Sequence, residues 1–273
     1  MRTIALTSAA LIAAPLAQAA GSFETAKITF IQKDVAVADL KVLETNAGGE
    51  VKRREASLNE QITKDNAVVT GQKSRAELEF NDGTITRLGQ LSSFAFTQGT
   101  RNAQVKQGTA LFVVPKGQAG TTIQAGPVTA AITGTTLLVQ VINGRVLIYV
   151  YEGSVAVDGK TITSGQVISI ENGTSVVNRF DVAKGIATAA VFTRFIDSPS
   201  TQAVERQIAE ILQTAGVPTA VDRSGDRVDR AVLENIVETH AVPHSGYPCE
   251  GGGCCGGGWC GGGWCNGGSE PDV

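Results

Sequence analysis

The side chains best suited to bind a metal ion lie together near the C-terminus. This segment holds both histidines and all five cysteines of the sequence, namely His240, His244, Cys249, Cys254, Cys255, Cys260 and Cys265. Thiolate and imidazole groups are the ligands that zinc and softer metals prefer. The cysteine spacing is not that of a zinc finger, and Pro243 interrupts any helix that would place both histidines on one face. The segment is a candidate metal site without a recognised ligand pattern.

Two other interpretations of these cysteines stay open. In an oxidising compartment they would form disulfides, and an odd number leaves one thiol free or paired with another chain. A disulfide-linked oligomer is then predicted. The surroundings are glycine-rich, with Gly-Gly-Gly-Trp-Cys written twice, which is typical of a disordered low-complexity tail.

The sequence shows no arrangement for catalysis. It lacks a Gly-x-Ser-x-Gly motif, and no strand–helix junction carries Gly-x-Gly-x-x-Gly. Asp82 could act as an acid or a ligand, but aspartate in Asn81-Asp82-Gly83 is better explained by turn formation. We therefore predict a non-enzymatic protein with no catalytic residues and no cofactor.

The net charge and the amino-acid composition limit the predicted partners and the make-up of the core. The formal net charge is −3, and no basic patch stands out beyond Lys52-Arg53-Arg54, so nucleic acid is not a predicted partner. Aromatic residues make up only 5%, so the core must consist of Val, Ile, Leu and Ala, of which the β-branched types favour strands. The body before residue 249 has no cysteine and cannot depend on disulfides.

The N-terminus has the pattern of a secretory signal peptide. Arg2 precedes an apolar run from Ile4 to Leu16, and Ala17-Gln18-Ala19 fits a cleavage site. The run is shorter than a bilayer crossing requires, and no later stretch qualifies. We assign residues 1–19 to the signal peptide, and predict a periplasmic or extracellular protein with no transmembrane segment after cleavage.

Residues 20–178 alternate short apolar strands with turn residues, which predicts an all-β body. In Arg75 to Thr84, Ala76, Leu78 and Phe80 alternate with charged residues, which indicates a strand with one charged, solvated face. Asn143-Gly144 is the strongest hairpin signal, because a type I′ turn needs positive φ at both positions. The predicted structural turn residues are Asn81, Asp82, Gly83, Asn143, Gly144, Gly153 and Gly165. Glycine followed by a short strand recurs, so we expect either a β-roll or solenoid-like body or an irregular sandwich of short strands.

A C-terminal helical appendage is predicted over residues 180–240, and a disordered Gly/Cys-rich tail over 241–273. The first helical stretch runs from Ala183 to Phe195, and Ser198-Pro199 fits the cap of a second helix with an apolar stripe from Ala203 to Leu212. Gly216 and Pro218 end that helix, and a third is expected over residues 226–238. The apolar stripes indicate core or docking faces.

Four motifs in this order resemble the FecR domain. They are Leu78-x-Phe-Asn-Asp-Gly-Thr84 with a strand ending near Phe96, Gly108-Thr-Ala-Leu-Phe with Pro115 beyond it, Ala130-Ala-Ile-Thr-Gly-Thr135, and the pair Glu152-Gly-Ser-Val-Ala-Val157 and Ser164-Gly-Gln-Val167. Within the predicted β body of residues 20–178, the resemblance is strongest over residues 60–172. It implies an all-β periplasmic module without catalytic residues.

The resemblance also suggests partners. The best-known members sense a loaded outer-membrane iron transporter and signal to a sigma factor through a transmembrane helix. This sequence carries a predicted signal peptide where those members have a cytoplasmic segment and that helix. We expect an exported binding or scaffold module that contacts an envelope protein or a polysaccharide. The alternatives are a sensor component of iron-uptake-type signal transduction and metal binding by the tail.

Overall fold

The computed structural model describes residues 21–39, 53–118, 120–195 and 198–216. The predicted signal peptide, the helix expected over 226–238 and the tail with both histidines and all five cysteines lie outside the described residues. Within those ranges the chain forms 17 strands and then three helices, so the predicted all-β body with a helical appendage is confirmed.

The strands are numbered in chain order. They are β1 (Ala26–Gln32), β2 (Val35–Asp39), β3 (Arg53–Glu55), β4 (Gln61–Ile62), β5 (Asn66–Thr70), β6 (Arg75–Phe80), β7 (Ile85–Leu88), β8 (Ser93–Thr97), β9 (Asn102–Val113), β10 (Thr121–Ala125), β11 (Val128–Ile132), β12 (Thr136–Ile142), β13 (Arg145–Glu152), β14 (Ser154–Val157), β15 (Lys160–Thr163), β16 (Gln166–Glu171) and β17 (Thr174–Arg179).

The strands lie in two layers. Sheet I has the order β4-β1-β6-β7-β9-β12-β13-β16-β17, and every pair is antiparallel. Sheet II has the order β3-β2-β5-β8-β9-β10-β11-β14-β15, in which only the β9–β10 pair is parallel. Strand β9 belongs to both sheets and joins them.

Gly108 is the corner at which β9 passes from one layer to the other. The residues before it pair with β8 and β10 in sheet II, and those from Gly108 onward pair with β12 in sheet I. Gly108 has φ +86°, a conformation that side chains rarely adopt. This position lets one strand contribute to both sheets.

The inner faces of the two sheets share one apolar core. It takes Ile28, Leu78 and Ile148 from sheet I and Val68, Phe94 and Ile123 from sheet II. The ring centroids of Phe94 in sheet II and Phe112 in sheet I lie 6.1 Å apart. Because these side chains alternate with outward ones, the period-two patterns in the sequence correctly identify the core.

The second half of the body is built from hairpins that alternate between the layers. Hairpins β10–β11 and β14–β15 lie in sheet II, and β12–β13 and β16–β17 lie in sheet I. Each hairpin pairs with the one before it in the same sheet, through β11–β14 and β13–β16. The body is a sandwich with solenoid-like stacking at this end, which combines the two predicted alternatives.

Three helices cover the central strands of sheet I on its outer face: α1 (Val182–Thr188), α2 (Ala190–Thr193) and α3 (Thr201–Thr214). With that face they form a second apolar core, which includes Ile85, Leu111, Leu138, Tyr151, Ile186, Phe192, Val204, Ile208 and Leu212. None of these helices, within the ranges described, is long and apolar enough to cross a membrane.

Two helix predictions were wrong in detail. The expected continuous stretch from Ala183 to Phe195 breaks at Ala189, which is extended (φ −82°, ψ 116°). The break lets Phe192 pack its ring 4.8 Å from that of Tyr151, so tertiary packing overrides helix propensity. The helix predicted after Ser198-Pro199 is α3, which starts at Thr201 with Ser200 as its N-cap. Ser198 lies in the turn before it, where its hydroxyl accepts from Ser200 N at 3.2 Å and donates to Glu77.

Candidate interaction face

A buried ion pair fixes the helices to sheet I. Glu77 of β6 and Arg87 of β7 are directly opposite each other, and Arg87 Nε lies 2.7 Å from Glu77 Oε2. Their exposed fractions are 0% and 2%. The prediction of a solvated charged face on β6 was therefore wrong for Glu77, because the helices cover that part of sheet I.

Several groups around Glu77 and Arg87 complete a polar network. The Thr29 hydroxyl donates to Glu77 Oε1 at 2.7 Å, and the Ser198 hydroxyl donates to the same oxygen. The Arg87 guanidinium lies 4.7 Å from the centroid of the Phe195 ring. Phe195 and Ser198, which precede α3, are thus held to the sheet by charge-assisted hydrogen bonds as well as by apolar contacts.

The network keeps Glu77 ionised. Burial alone would raise the pKa of Glu77, but the Arg87 charge and hydrogen bonds from Ser198, Ser200 and Arg87 outweigh burial and lower it. A carboxyl group whose pKa is lower in the folded state stabilises the fold above its unfolded pKa, and that contribution disappears as the pH falls through the folded pKa. The network therefore contributes fully at neutral pH and is lost in acid.

We predict a specific acid sensitivity from Glu77. At neutral pH the wild type should have a larger free energy of unfolding than Glu77→Gln, and this gap should shrink as the pH falls below the unfolded pKa of Glu77 and then through its lower folded pKa. Urea denaturation of both proteins over a series of pH values from neutral into acid measures the gap. A gap that stays constant would show that Glu77 ionisation does not stabilise the fold.

The predicted turn Asn81-Asp82-Gly83 also organises the N-terminal segment. The Asn81 side chain accepts a hydrogen bond from Glu24 N and donates one to Ser22 O, both at 2.9 Å. Asp82 Oδ1 accepts from Thr84 N at 2.9 Å, and Asp82 Oδ2 lies 2.6 Å from Arg101 Nη1 in a second buried ion pair. The role of Arg101 has no local signal in the sequence, because its partner Asp82 lies 19 positions away on another hairpin.

The other predicted turn residues all have positive φ. The values are +51° at Asn143, +80° at Gly144, +82° at Gly153 and +78° at Gly165, and Gly83 has +82°. Asn143-Gly144 connects β12 to β13 with two residues. The same hairpin signal occurs at Asp158-Gly159 and Asn172-Gly173, which connect β14 to β15 and β16 to β17.

Two arginines of the basic sequence Lys52-Arg53-Arg54 border a groove of mixed charge. Arg53 and Arg54 line an open groove of about 620 Å³ together with Lys33, Asp34 and Glu55. The Arg54 guanidinium is bonded to Glu60, and this hydrogen bond lowers the pKa of Glu60. The groove does not present a uniform positive field to an anion.

The outer face of sheet II is the candidate interaction face. Two rows of side chains cross its strands in register and point away from the core: Gln104, Gln124 and Thr129 in one row, and Thr97, Asn102, Thr122, Ala131, Ala156 and Thr161 in the other. All nine are exposed or half-buried and uncharged. The amides of Gln104 and Gln124 bond to each other at 3.2 Å. We call these nine residues the open face.

The open face offers amide and hydroxyl groups on a flat sheet, with Lys106 at its margin. In contrast, α1 to α3 cover the central strands of sheet I on its outer face. Among the described residues no group of three or more His, Cys, Asp or Glu side chains could hold a metal ion. The open face is suited to recognition by hydrogen bonds and shape.

Comparison with known proteins identifies part of the body. Residues 66–156 match the family model described as FecR protein. This segment is a FecR domain, as the sequence motifs predicted. The match begins with β5 and ends within β14, so it contains the whole open face except Thr161.

Two crystal structures of a candidate anti-sigma factor from Parabacteroides distasonis are similar to the chain. The first has 16% identity and a TM-score of 0.41, and the alignment covers 44% of this chain and 63% of that protein. The second has 14% identity and a TM-score of 0.41, with 59% and 96% covered. The chain thus spans less than two thirds of the first structure. None of the curated proteins matches the sequence.

Proposed function

We propose that this chain is a non-enzymatic binding module of the cell envelope, and that it acts in signal transduction by contact with another protein. The open face carries this proposal, because it is the broad face of the FecR domain that the helices leave uncovered. Its side chains can bind a partner but lack the charge or the nucleophile–base pairs of a catalytic centre.

The FecR match supports an envelope location, and the signal-peptide pattern at residues 1–19 agrees with it. The similar crystal structures are named for anti-sigma activity, which is consistent with a signalling role at the envelope. For this chain we propose contact with an envelope protein such as a transporter or receptor, and relay through that contact. An alternative role is a scaffold that binds a polysaccharide.

Photo-crosslinking tests the open face directly. A photoreactive amino acid is placed at Gln124, in the centre of the open face, and in a control variant at Gln202, an exposed residue of α3. We expect the Gln124 variant to crosslink one envelope protein in its native host and the Gln202 variant to give no such product. Equal products from both positions, or a product from Gln202 alone, would contradict the proposal.

A substitution within the open face then shows whether the crosslinked protein binds this face or is only close to it. Thr122→Arg puts a long charged side chain beside Gln124, so we expect the crosslinked product to fall several-fold while the free energy of unfolding stays unchanged. A glycan product in place of a protein product would favour the polysaccharide role.

A further inference from the structure

Strand β17 is the longest strand at a sheet edge in the described part of the chain. The other three end strands of the two sheets are β3, β4 and β15, with three, two and four residues, whereas β17 has six. Short edge strands limit pairing with other chains, and a long one offers a template for it. Strand β17 contains no proline, and its Val176 is 51% exposed.

The hairpin turn determines which backbone groups of β17 are unpaired. Asn172 and Gly173 have φ +49° and +75°, so β16 and β17 are joined by a two-residue turn, and the flanking pair Glu171–Thr174 exchanges hydrogen bonds. Bonded residues then alternate along an antiparallel ladder. The N–H and C=O groups of three residues therefore point away from β16, and these are Ser175, Val177 and Arg179.

We propose that β17 is a strand-pairing surface and that its partner is β17 of a second copy of this chain. An antiparallel pair around a two-fold axis at Val177 places Val177 opposite its counterpart and Ser175 opposite Arg179 of the second copy. All three outward residues then exchange N–H···O bonds. The contact is the same on both copies, which gives a closed dimer and joins the two copies of sheet I.

Charge complementarity favours a second copy over an unrelated strand. The Ser175 hydroxyl donates to Asp158 Oδ2 at 2.5 Å, so a carboxylate lies beside one end of the edge. Residues directly opposite each other in a sheet project their side chains to the same face. Arg179 of the second copy would therefore lie beside Asp158, and the two-fold axis repeats this pair at the other end.

Lys160 is compatible with this pairing. Its ammonium group donates to the Ser175 carbonyl oxygen at 3.0 Å, and this oxygen retains a second lone pair for the incoming N–H of Arg179. The contact is limited to a six-residue edge and is smaller than a standard protein interface. We therefore expect a dimer that forms only at high concentration.

Sedimentation velocity of the full chain, under reducing conditions that exclude cysteine crosslinks, tests the proposal. Over about 1 µM to 1 mM we expect a concentration-dependent change from monomer to dimer. Arg179→Glu places a carboxylate beside Asp158, and the dissociation constant should rise about tenfold or more. Arg53→Glu makes the same charge change on β3, at the other end of the molecule, and should leave it unaltered.

Exchange of the charges at positions 158 and 179 tests whether this pair holds the dimer together. Asp158→Lys combined with Arg179→Glu restores opposite charges across the axis, so this double variant should regain most of the wild-type association. Lysine is tolerated at the positive φ of Asp158 (+50°), since Lys33 and Lys73 have φ +61° and +53° in this protein. A wild type that is monomeric at every concentration, or an Arg179→Glu variant that associates like the wild type, would overturn the proposal. Neither result bears on the open face.

Discussion

Replacement of Arg87 by methionine is expected to lower the free energy of unfolding by about 3–5 kcal/mol, which is typical when one partner of a buried ion pair is removed. Methionine fills much of the volume but leaves the fully buried Glu77 carboxylate without its cation. The Phe195 ring also loses the guanidinium above it. Urea denaturation at neutral pH measures the loss.

A second variant separates the effect of the unpaired Glu77 charge on stability from the effect of the lost Arg87 side-chain volume. In Glu77→Gln/Arg87→Met the unpaired charge is gone, and the glutamine can still accept hydrogen bonds from Thr29 and Ser198. This double variant should lose less stability than Arg87→Met alone, as removal of both charges avoids the uncompensated carboxylate. Equal losses would show that packing, and not charge, explains the effect.

Lys116 supplies the matched control for the ion pair. It bridges Glu152 and Glu210 on the surface, at 3.0 and 3.2 Å, and connects the end of the body to α3. Water and salt screen such exposed pairs. Lys116→Met should therefore leave the unfolding transition nearly unchanged, although it also removes an ionic contact between the body and a helix.

Gly108→Ala is expected to destabilise the body by about 3 kcal/mol or more, because it combines backbone strain with a clash. The residue has φ +86°, and an added Cβ would overlap Ser92 Cα and lie 2.6 Å from the Leu91 carbonyl oxygen. These are backbone atoms that cannot move without a shift of β8 or of the turn before it. The substitution therefore acts at the corner of β9, where the two sheets are joined.

Gly117→Ala controls for the strain alone. Gly117 has φ +87°, almost the value at Gly108, but no atom lies within 4 Å of its added Cβ. Its cost should be about 1–2 kcal/mol, the strain of a side chain in this region. The difference between the two variants in urea denaturation isolates the clash. If both lose the same stability, the close approach of Ser92 does not restrict the corner.

Much of the fold can be predicted from local patterns. Period-two alternation on β6 and β11 identifies inward residues, and Asn143-Gly144 specifies a two-residue hairpin because both residues tolerate positive φ. The apolar spacing of Val204, Ile208 and Leu212 correctly indicates a docking face on α3. The FecR motifs depend on the same strands and turns, which explains why they are visible in the sequence.

The ion pair and the open face are harder to predict. Glu77 and Arg87 lie five positions before and after Asp82, so their pairing across the hairpin is a signal that the sequence does contain. Their burial is not local information, since it requires helices more than 100 residues away to cover β6 and β7. A charged residue on a strand is normally exposed, which is why the sequence favoured the opposite interpretation of Glu77.

Local sequence patterns specify which residues face inward, where the hairpins turn and where the helices follow the strands, because these features depend on neighbours a few positions away. They do not specify which sheet each hairpin joins, which outer face the helices pack on, or which strand is left at an edge; these features follow from the three-dimensional arrangement. Alternation distinguishes the two sides of a strand, but it does not specify whether the second side meets water or another layer. That choice depends on contacts distant in sequence, such as Ser198 with Glu77.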